Sequence, residues 1–405
     1  MRTATLFRRL LGVTSLFVKS VEFAPDGLVL DVRPTWNRPR CGRCGGKRQG
    51  YDRRPARRWR HLALGRTTIW LRYSPRRVSC PDCGTRTESV PWAEPGSRFT
   101  KEFEELAAYL VQATDKTQVT KQLGISWRTV GRIVDRIARR RLDPHRLDGL
   151  RRIGIDEFSY RRRHRYITIV VDHDRRRVVW AGKGSSSETL RGFFRELGPD
   201  RCQTIRSVTV DMASAWTKPL REFVPRAQVI FDRFHVQALA SDAVDEVRRT
   251  QLRELRGTAE GRDIFLSRFA LLRRPWDLRQ GDREKLSRIQ QNNAQLYRAY
   301  LLKEALARAL DYRQPWRAAR ALRDWLDWAS RSRLPPFVRV ARTIRKHFAG
   351  ILAYVDERLT NGIVEGFNNR LRMIARRAFG FHSADSLVAM LFLCCGGIRL
   401  DPPLP

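Results

Sequence analysis

Between residues 153 and 211 the chain runs strand, strand, strand, helix, strand, and two aspartates hold fixed places in that order. IGIDEF, YITIVVD and RRVVWAGK read as successive strands, SSETLRGFFREL as a helix, and SVTVD as a fourth strand that ends on Asp211. Asp156 stands in the first of these strands. A third acid, Glu365, lies in TNGIVEGFNNRLR, where an Asn361-Gly362 turn precedes a helical pattern. Each acid sits where a strand or helix can carry it to one shared point, so Asp156, Asp211 and Glu365 are expected to form a metal-holding carboxylate triad. Hard oxygen ligands suit Mg²⁺ or Mn²⁺, and two such ions can clamp the attacking and leaving oxygens of an in-line displacement. The expected chemistry is phosphodiester cleavage.

That strand order is the ribonuclease-H-like pattern, and it ranks the remaining acids. Glu157 should leave its strand on the face opposite Asp156, because side chains alternate. Asp172 and Asp174 close the second strand at VVDHDRRR, a turn where Asp is common for backbone reasons alone. Asp232 is expected to end a fifth strand, AQVIFDRFHV, where it could sit near the metals or hydrogen-bond the helices beyond. Glu365 also has an ordinary explanation, since the helix dipole favours an acid in the first turn. Asn368 and Asn369 could contact DNA or cap local backbone. No His and Ser arrangement suggests acyl chemistry, and of the seven His only His235 has a motif context.

Charge narrows the partner. The 405-residue chain carries 80 Lys plus Arg against 42 Asp plus Glu, a formal +38, and only ten of the basic residues are Lys. GC-rich coding can inflate Arg by itself, but the planar guanidinium fork suits phosphate, and the basic residues extend across every segment. Nucleic acid is the expected partner. No membrane role is expected: the longest apolar run, Leu387 to Ile398, contains two Cys and two Gly and falls short of the roughly 18 residues a span needs. The first 20 residues offer no small-residue cleavage site, so a cytoplasmic, nucleoid-associated protein is expected. Seven Cys, four of them in two C-x-x-C pairs, fit a reducing compartment and a metal site.

Residues 1–95 suggest a β-rich module, with alternating runs such as SVEFAPDGLVLDVRP and TIWLRYS. Cys41, Cys44, Cys80 and Cys83 form two knuckles that could complete one tetrahedral Zn²⁺ site. Thirty-five residues separate Cys44 from Cys80, so a hairpin must bring the knuckles together. Between them an Arg cluster that includes Arg57 and Arg58 could track phosphates or form a solvated face. Residues 96–145 read as a helix-turn-helix. Gly124 supplies the turn, Ile125 a buried contact, Ser126 the N-cap, and Val130, Ile133, Val134 and Ile137 the inward face. Arg128, Thr129 and Arg132 would then point into a DNA groove. Residues 142–150 serve as linker. The catalytic domain is expected to occupy 150–237, to pause for a helical insertion at 238–356 and to resume over 357–405. Trp276, Trp316, Trp325 and Trp328 are expected in the core of the insertion.

In that order of segments the chain resembles the transposases of the ISL-three family of bacterial insertion sequences. The carriers are GIDEFSYRRRHRYITIVVDHDRRRVVWAGKGSSSETL, VTVDM, VIFDRFHVQALASDAVDEVRR and TNGIVEGFNNRLRMIARRAFGF. The resemblance covers almost the whole chain. It implies an N-terminal zinc module, a helix-turn-helix that reads terminal inverted repeats, and DDE roles for Asp156, Asp211 and Glu365 in cleavage and strand transfer into target DNA. Asp232-Arg-Phe-His235 is similar to the [Cys or Asp]-x-x-His signature of several transposase groups, with a DNA contact or a strut near the site as its alternatives. Two rival functions share these features: a DNA-binding regulator that keeps the fold without catalysis, and a structure-specific nuclease. Because two element ends must be joined, a homodimer or larger assembly on double-stranded DNA is expected.

Overall fold

A computed structural model of the chain describes residues 3–161, 165–212, 214–359, 362–378, 381 and 383–401. The chain divides into two compact units, one of residues 1–142 with 385–405 and one of residues 143–384.

The first unit opens with α1 (Thr3–Leu10) and the hairpin β1 (Leu16–Ala24) and β2 (Gly27–Pro34). β3 (Gln49–Arg53), β4 (Arg57–Arg60), β5 (Ile69–Tyr73), β6 (Arg76–Cys80) and β7 (Gly84–Thr87) follow. They build a four-stranded sheet, β1-β2-β5-β4, and a three-stranded antiparallel sheet, β3-β6-β7. Alternation along β5 turns Ile69, Leu71 and Tyr73 inward. There Trp92 is fully buried, edge-on to Trp59 and Tyr73 at 5.6 and 5.5 Å between ring centroids.

Three helices complete this part: α2 (Lys101–Ala113), α3 (Lys116–Leu123) and α4 (Trp127–Arg141). Each is capped by a side chain. Thr100 accepts from Phe103 N, Asp115 from Gln118 N and Ser126 from Thr129 N, which occupies one of the free amides at each helix start. The charged face of the bundle is stitched by Glu104, a fully buried acid that receives Ser97 Oγ at 2.6 Å and Arg136 Nε at 2.9 Å.

The second unit begins where the linker was expected, but residues 143–150 are packed. Leu147 and Leu150 are buried in its core, and Arg146 Nε donates to Val179 O at 3.0 Å. The sheet comprises β8 (Arg152–Arg161), β9 (Arg165–Asp172), β10 (Arg177–Lys183), β11 (Ser207–Val210) and β12 (Gln228–Phe231). Its order is β10-β9-β8-β11-β12; β9 runs antiparallel to both neighbours, and β8, β11 and β12 are parallel. The parallel connections pass through α5 (Ser187–Leu197), α6 (Pro199–Cys202) and α7 (Ser214–Phe223). All four residues of β11 are buried, as expected of a central strand covered on both faces.

The fifth strand is shorter than AQVIFDRFHV. It stops at Phe231, and Asp232 caps α8 (Arg233–Glu254) by accepting from Phe234 N, so Phe234, His235 and Val236 are helical. The helix therefore starts before residue 238. It leads into α9 (Ala259–Leu266), α10 (Arg268–Leu272), a 3₁₀ turn at Pro275–Asp277, α11 (Gln280–Asn292), α12 (Ala294–Asp311), α13 (Pro315–Ser330), α14 (Pro335–Lys346) and α15 (Phe348–Glu357). Of the four tryptophans expected in this core only Trp325 is buried, with Nε1 donating to Leu302 O at 2.7 Å. Trp276 and Trp316 are about two-thirds exposed (66% and 64%), and Trp328 lies at the edge. The inward stripe of α13 is Ala318, Leu322, Trp325 and Ala329, which leaves Trp316 and Trp328 off the buried face.

α16 (Gly362–Arg377) then packs on β8. Gly154 makes this approach possible: a Cβ there would fall 2.4 Å from Val364 Cγ2 and 2.8 Å from His173 Nε2. The last helix, α17 (Ala384–Cys395), lies with the first unit, where Gln112 Nε2 donates to Leu393 O at 2.6 Å.

Candidate active site and DNA-reading elements

The register of the parallel pair β8 and β11 aligns Ser207 with Arg152, Val208 with Ile153 and Thr209 with Gly154. Continued by two residues, the same register sets Asp211 level with Asp156. Asp156 is held at both oxygens: Oδ1 accepts from Glu157 N at 2.7 Å, and Oδ2 from Asn368 Nδ2 at 2.7 Å. Burial pushes its carboxyl up to about 6 against the pull of those donors, and the negative charge of Asp211 adds to the rise. Glu157 is exposed, on the other face of the strand. Asp172 is buried in its turn, accepting from Asp174 N and Arg175 N, a backbone role.

Asp232 and His235 join the same cluster. Asp232 is 2% exposed, and the three-residue step along α8 brings His235 Nδ1 to 3.5 Å from its Oδ2. Nε2 of the same ring lies 3.9 Å from Asp211 Oδ2. Asp232 first, then Asp211 and Asp156, hold the imidazole proton and raise His235 to about 9, so at neutral pH it is a cation among three acids. His235 thus stands between Asp232 and Asp211, within ion-pair distance of both.

Asn368 is the residue that sequence reasoning placed too loosely. It is 6% exposed and binds Asp156, and its Oδ1 has no partner among the described residues. The signal lay in the spacing: position 365 precedes it by three residues on α16, and helix positions three apart share a face. The Glu365 side chain and Asn361 lie outside the described residues. The acids and the amide oxygen are all hard oxygen donors, and the raised Asp156 carboxyl and the orphaned Asn368 Oδ1 both fit a site that takes divalent cations.

In the first unit the four cysteine sulfurs lie within 4.8 Å of one another. Cys44 Sγ is 3.7 Å from Cys80 Sγ, close to the ~3.8 Å edge of a tetrahedron with ~2.3 Å Zn–S bonds. The long separation is closed as expected. β3 pairs with β6, setting Gln49 against Ser79, and the residues between them supply β4 and β5 to the other sheet. Arg48 Nε donates to Cys80 Sγ at 3.2 Å and pulls that thiol down to about 6, which favours the thiolate a metal needs.

The helix-turn-helix is α3, a turn and α4. Gly124 takes the left-handed conformation at φ 59°, and Val130, Ile133, Val134 and Ile137 are buried. Ile125 is only half-buried, since it lies beside the groove formed with Arg60 and Arg98. Arg128 and Arg132 are exposed and have no carboxylate partner among the described residues, while Thr129 is half-buried and its amide serves the Ser126 cap. The structure gives Arg57 and Arg58 local partners. Arg57 donates to Ser97 O and stacks over Trp59 at 4.4 Å; Arg58 contacts both oxygens of Asp26, at 3.2 and 3.0 Å.

Residues 153–391 match the family model described as "Transposase" of the ISL3 group, and 88–138 match the "Helix-turn-helix domain of transposase family ISL3". The chain belongs to the ISL3 transposase family. Residues 37–83 match the "zinc-finger of transposase IS204/IS1001/IS1096/IS1165", which with the four clustered sulfurs supports a structural zinc. The chain is 38% identical over 439 residues to the transposase for insertion sequence element IS1557 of Mycobacterium tuberculosis, covering 100% of this chain and 98% of that relative. It is 32% identical over 376 residues to the transposase for IS1001 of Bordetella parapertussis, covering 91% and 92%. No helix among the described residues is long and apolar enough to cross a membrane.

Proposed function

We propose that this family member cuts the ends of an insertion sequence and joins them to target DNA, using Asp156, Asp211 and Glu365 as the ligands of two Mg²⁺ or Mn²⁺ ions. The observation that carries the reading is the β8–β11 register, which brings Asp156 level with Asp211 while α16 reaches Asp156 through Asn368. The sheet order β10-β9-β8-β11-β12, with β9 reversed, supports a ribonuclease-H-like domain, and α8 to α15 are its insertion. Such ions supply Lewis-acid stabilisation of the attacking and leaving oxygens.

The chain's own residues prepare the place. Asn368 orients the Asp156 carboxylate, Asp232 fixes the His235 ring, and the His235 cation offsets repulsion between acids. A water oxygen attacks phosphorus, the P–O3′ bond breaks, and the 3′ oxygen leaves as a hydroxyl. That hydroxyl then loses its proton to solvent and attacks a target phosphorus, the target P–O3′ bond breaks, and the target 3′ oxygen leaves protonated as a hydroxyl. Exposed Arg128 and Arg132 on α4 read the terminal inverted repeats, while zinc at Cys41, Cys44, Cys80 and Cys83 holds the neighbouring sheet. Joining two ends calls for at least two protomers on DNA, in the cytoplasm.

The test is nicking of labelled element-end DNA in Mg²⁺. Asp156→Asn, Asp211→Asn and Glu365→Gln each keep shape but remove a charge, so each abolishes nicking and leaves end binding largely intact. Glu157→Gln retains most activity. Full nicking by Glu365→Gln would remove that residue from the triad.

A further inference from the structure

A cleft of about 630 Å³ opens beside Asp211, between α7 and the corner where α14 meets α15. The edge strand β12 lies along its base. Its floor is apolar and aromatic: Trp216, Leu220, Val224 and Phe231 are buried there, and the His347 ring stands edge-on to Phe231 at 4.8 Å. Its lip is cationic. Lys218, Arg221 and Lys346 are exposed, and none has a carboxylate partner among the described residues. The volume is that of a small-molecule pocket. The helices after β12 thus supply one wall of a space that the sheet alone would leave open.

We propose that this cleft receives an unpaired nucleobase from the DNA strand being processed, one next to the bond cut at Asp211. The inference rests on the proposed cleavage site and deepens it. A phosphodiester in reach of Asp211 brings the adjacent nucleotides to the mouth of the cleft. Every base has a π-face that stacks on aromatic and apolar side chains whatever its identity, and the phosphates on either side need cations such as those on the lip. Seating a base outside the helix costs unstacking and unpairing, which contacts in the cleft offset. It also holds the strand end unpaired and fixes the phosphodiester beside it against Asp211.

Two measurements on the full chain test this. Element-end DNA carrying 5-iododeoxyuridine at single positions around the cut is irradiated in the complex, and crosslinked residues are mapped by mass spectrometry. One position next to the cut is expected to crosslink to Trp216, Phe231 or His347. Separately, Ala349→Trp places a ring in the cleft from an exposed lining position. It is expected to reduce nicking of intact ends by roughly tenfold or more, the scale of one lost base stack. An abasic nucleotide at the crosslinking position should restore nicking by the variant, which also shows that the variant folds. Crosslinks confined to residues outside the cleft, while the wild type cleaves, would overturn the proposal, as would undiminished nicking of intact ends by Ala349→Trp. A wild type that binds ends but never nicks them would instead overturn the cleavage reading itself.

Discussion

Replacing Glu104 should weaken the helix-turn-helix from beneath. The Glu104 side chain is fully buried, and the Arg136 side chain that meets it is 26% exposed. Glu104 Oε1 collects Ser97 Oγ at 2.6 Å and Arg136 Nε and Nη2 at 2.9 and 2.6 Å, while Oε2 has no partner among the described residues. Removing one member of a buried pair costs about 3–5 kcal/mol, chiefly because the other is stranded. In Glu104→Gln the stranded group is Arg136, which can rehydrate through its exposed quarter, so the cost falls near the lower end, about 3 kcal/mol. In Arg136→Met the stranded group is a carboxylate with no path to water, and the cost approaches about 5 kcal/mol. The double variant should be less damaged than the sum, with a coupling of up to about 3 kcal/mol. Hydrogen exchange of the α4 amides from Val130 to Ile137, followed in increasing guanidinium, reads these values locally. Binding to element ends should fall with them, because α4 carries Arg128 and Arg132. Single variants within about 0.5 kcal/mol of wild type, or an Arg136→Met milder than Glu104→Gln, would refute the reasoning.

Burial pushes His61 down to about 4, with Nδ1 2.9 Å from Thr100 Oγ1. Between about pH 6.5 and 4 the unfolded chain binds a proton that the folded chain refuses, so stability is full above about 6.5 and declines as pH falls, by up to about 3 kcal/mol. His61→Asn should flatten that slope in denaturant titrations, and an unchanged slope would assign the acid sensitivity elsewhere. Purified protein should contain one zinc per chain, lost in Cys80→Ser together with exchange protection in β6 and β7; a zinc content near zero by metal analysis would refute the site. Arg128→Ala and Arg132→Ala should weaken binding to element ends, lowering specificity where the residue reads a base and lowering all binding equally where it touches only phosphate. Unchanged affinity for both end and scrambled DNA at fixed salt would remove α4 from the interface.

Much of the architecture was legible in residue patterns because the deciding interactions are local. Strand alternation and the Ser126 cap mark where β8 to β11 and α4 begin, and the C-x-x-C spacing specifies a pair of knuckles. The partition of the aromatics was not legible. Trp316 and Trp325 have the same hydrophobicity, and only the packing of α13 sends one inward and the other to solvent. The end of β12 was missed for a related reason: Gln228 to Phe231 runs on into a mixed stretch, DRFHV, that fits strand or helix, and the Asp232 cap decides for the helix.

By itself, the sequence determined the family, the helix-turn-helix, the cysteine pairs and the positions of Asp156 and Asp211 in their strand pattern, since each is written in a short run of residues. Tertiary structure decided what meets across long separations. Asn368 donates to Asp156 across 212 residues because Gly154 lets α16 settle on β8, and His235 stands between Asp232 and Asp211 because β12 lies beside β11. No local propensity encodes such contacts; they exist only once the sheet and the helices upon it are assembled.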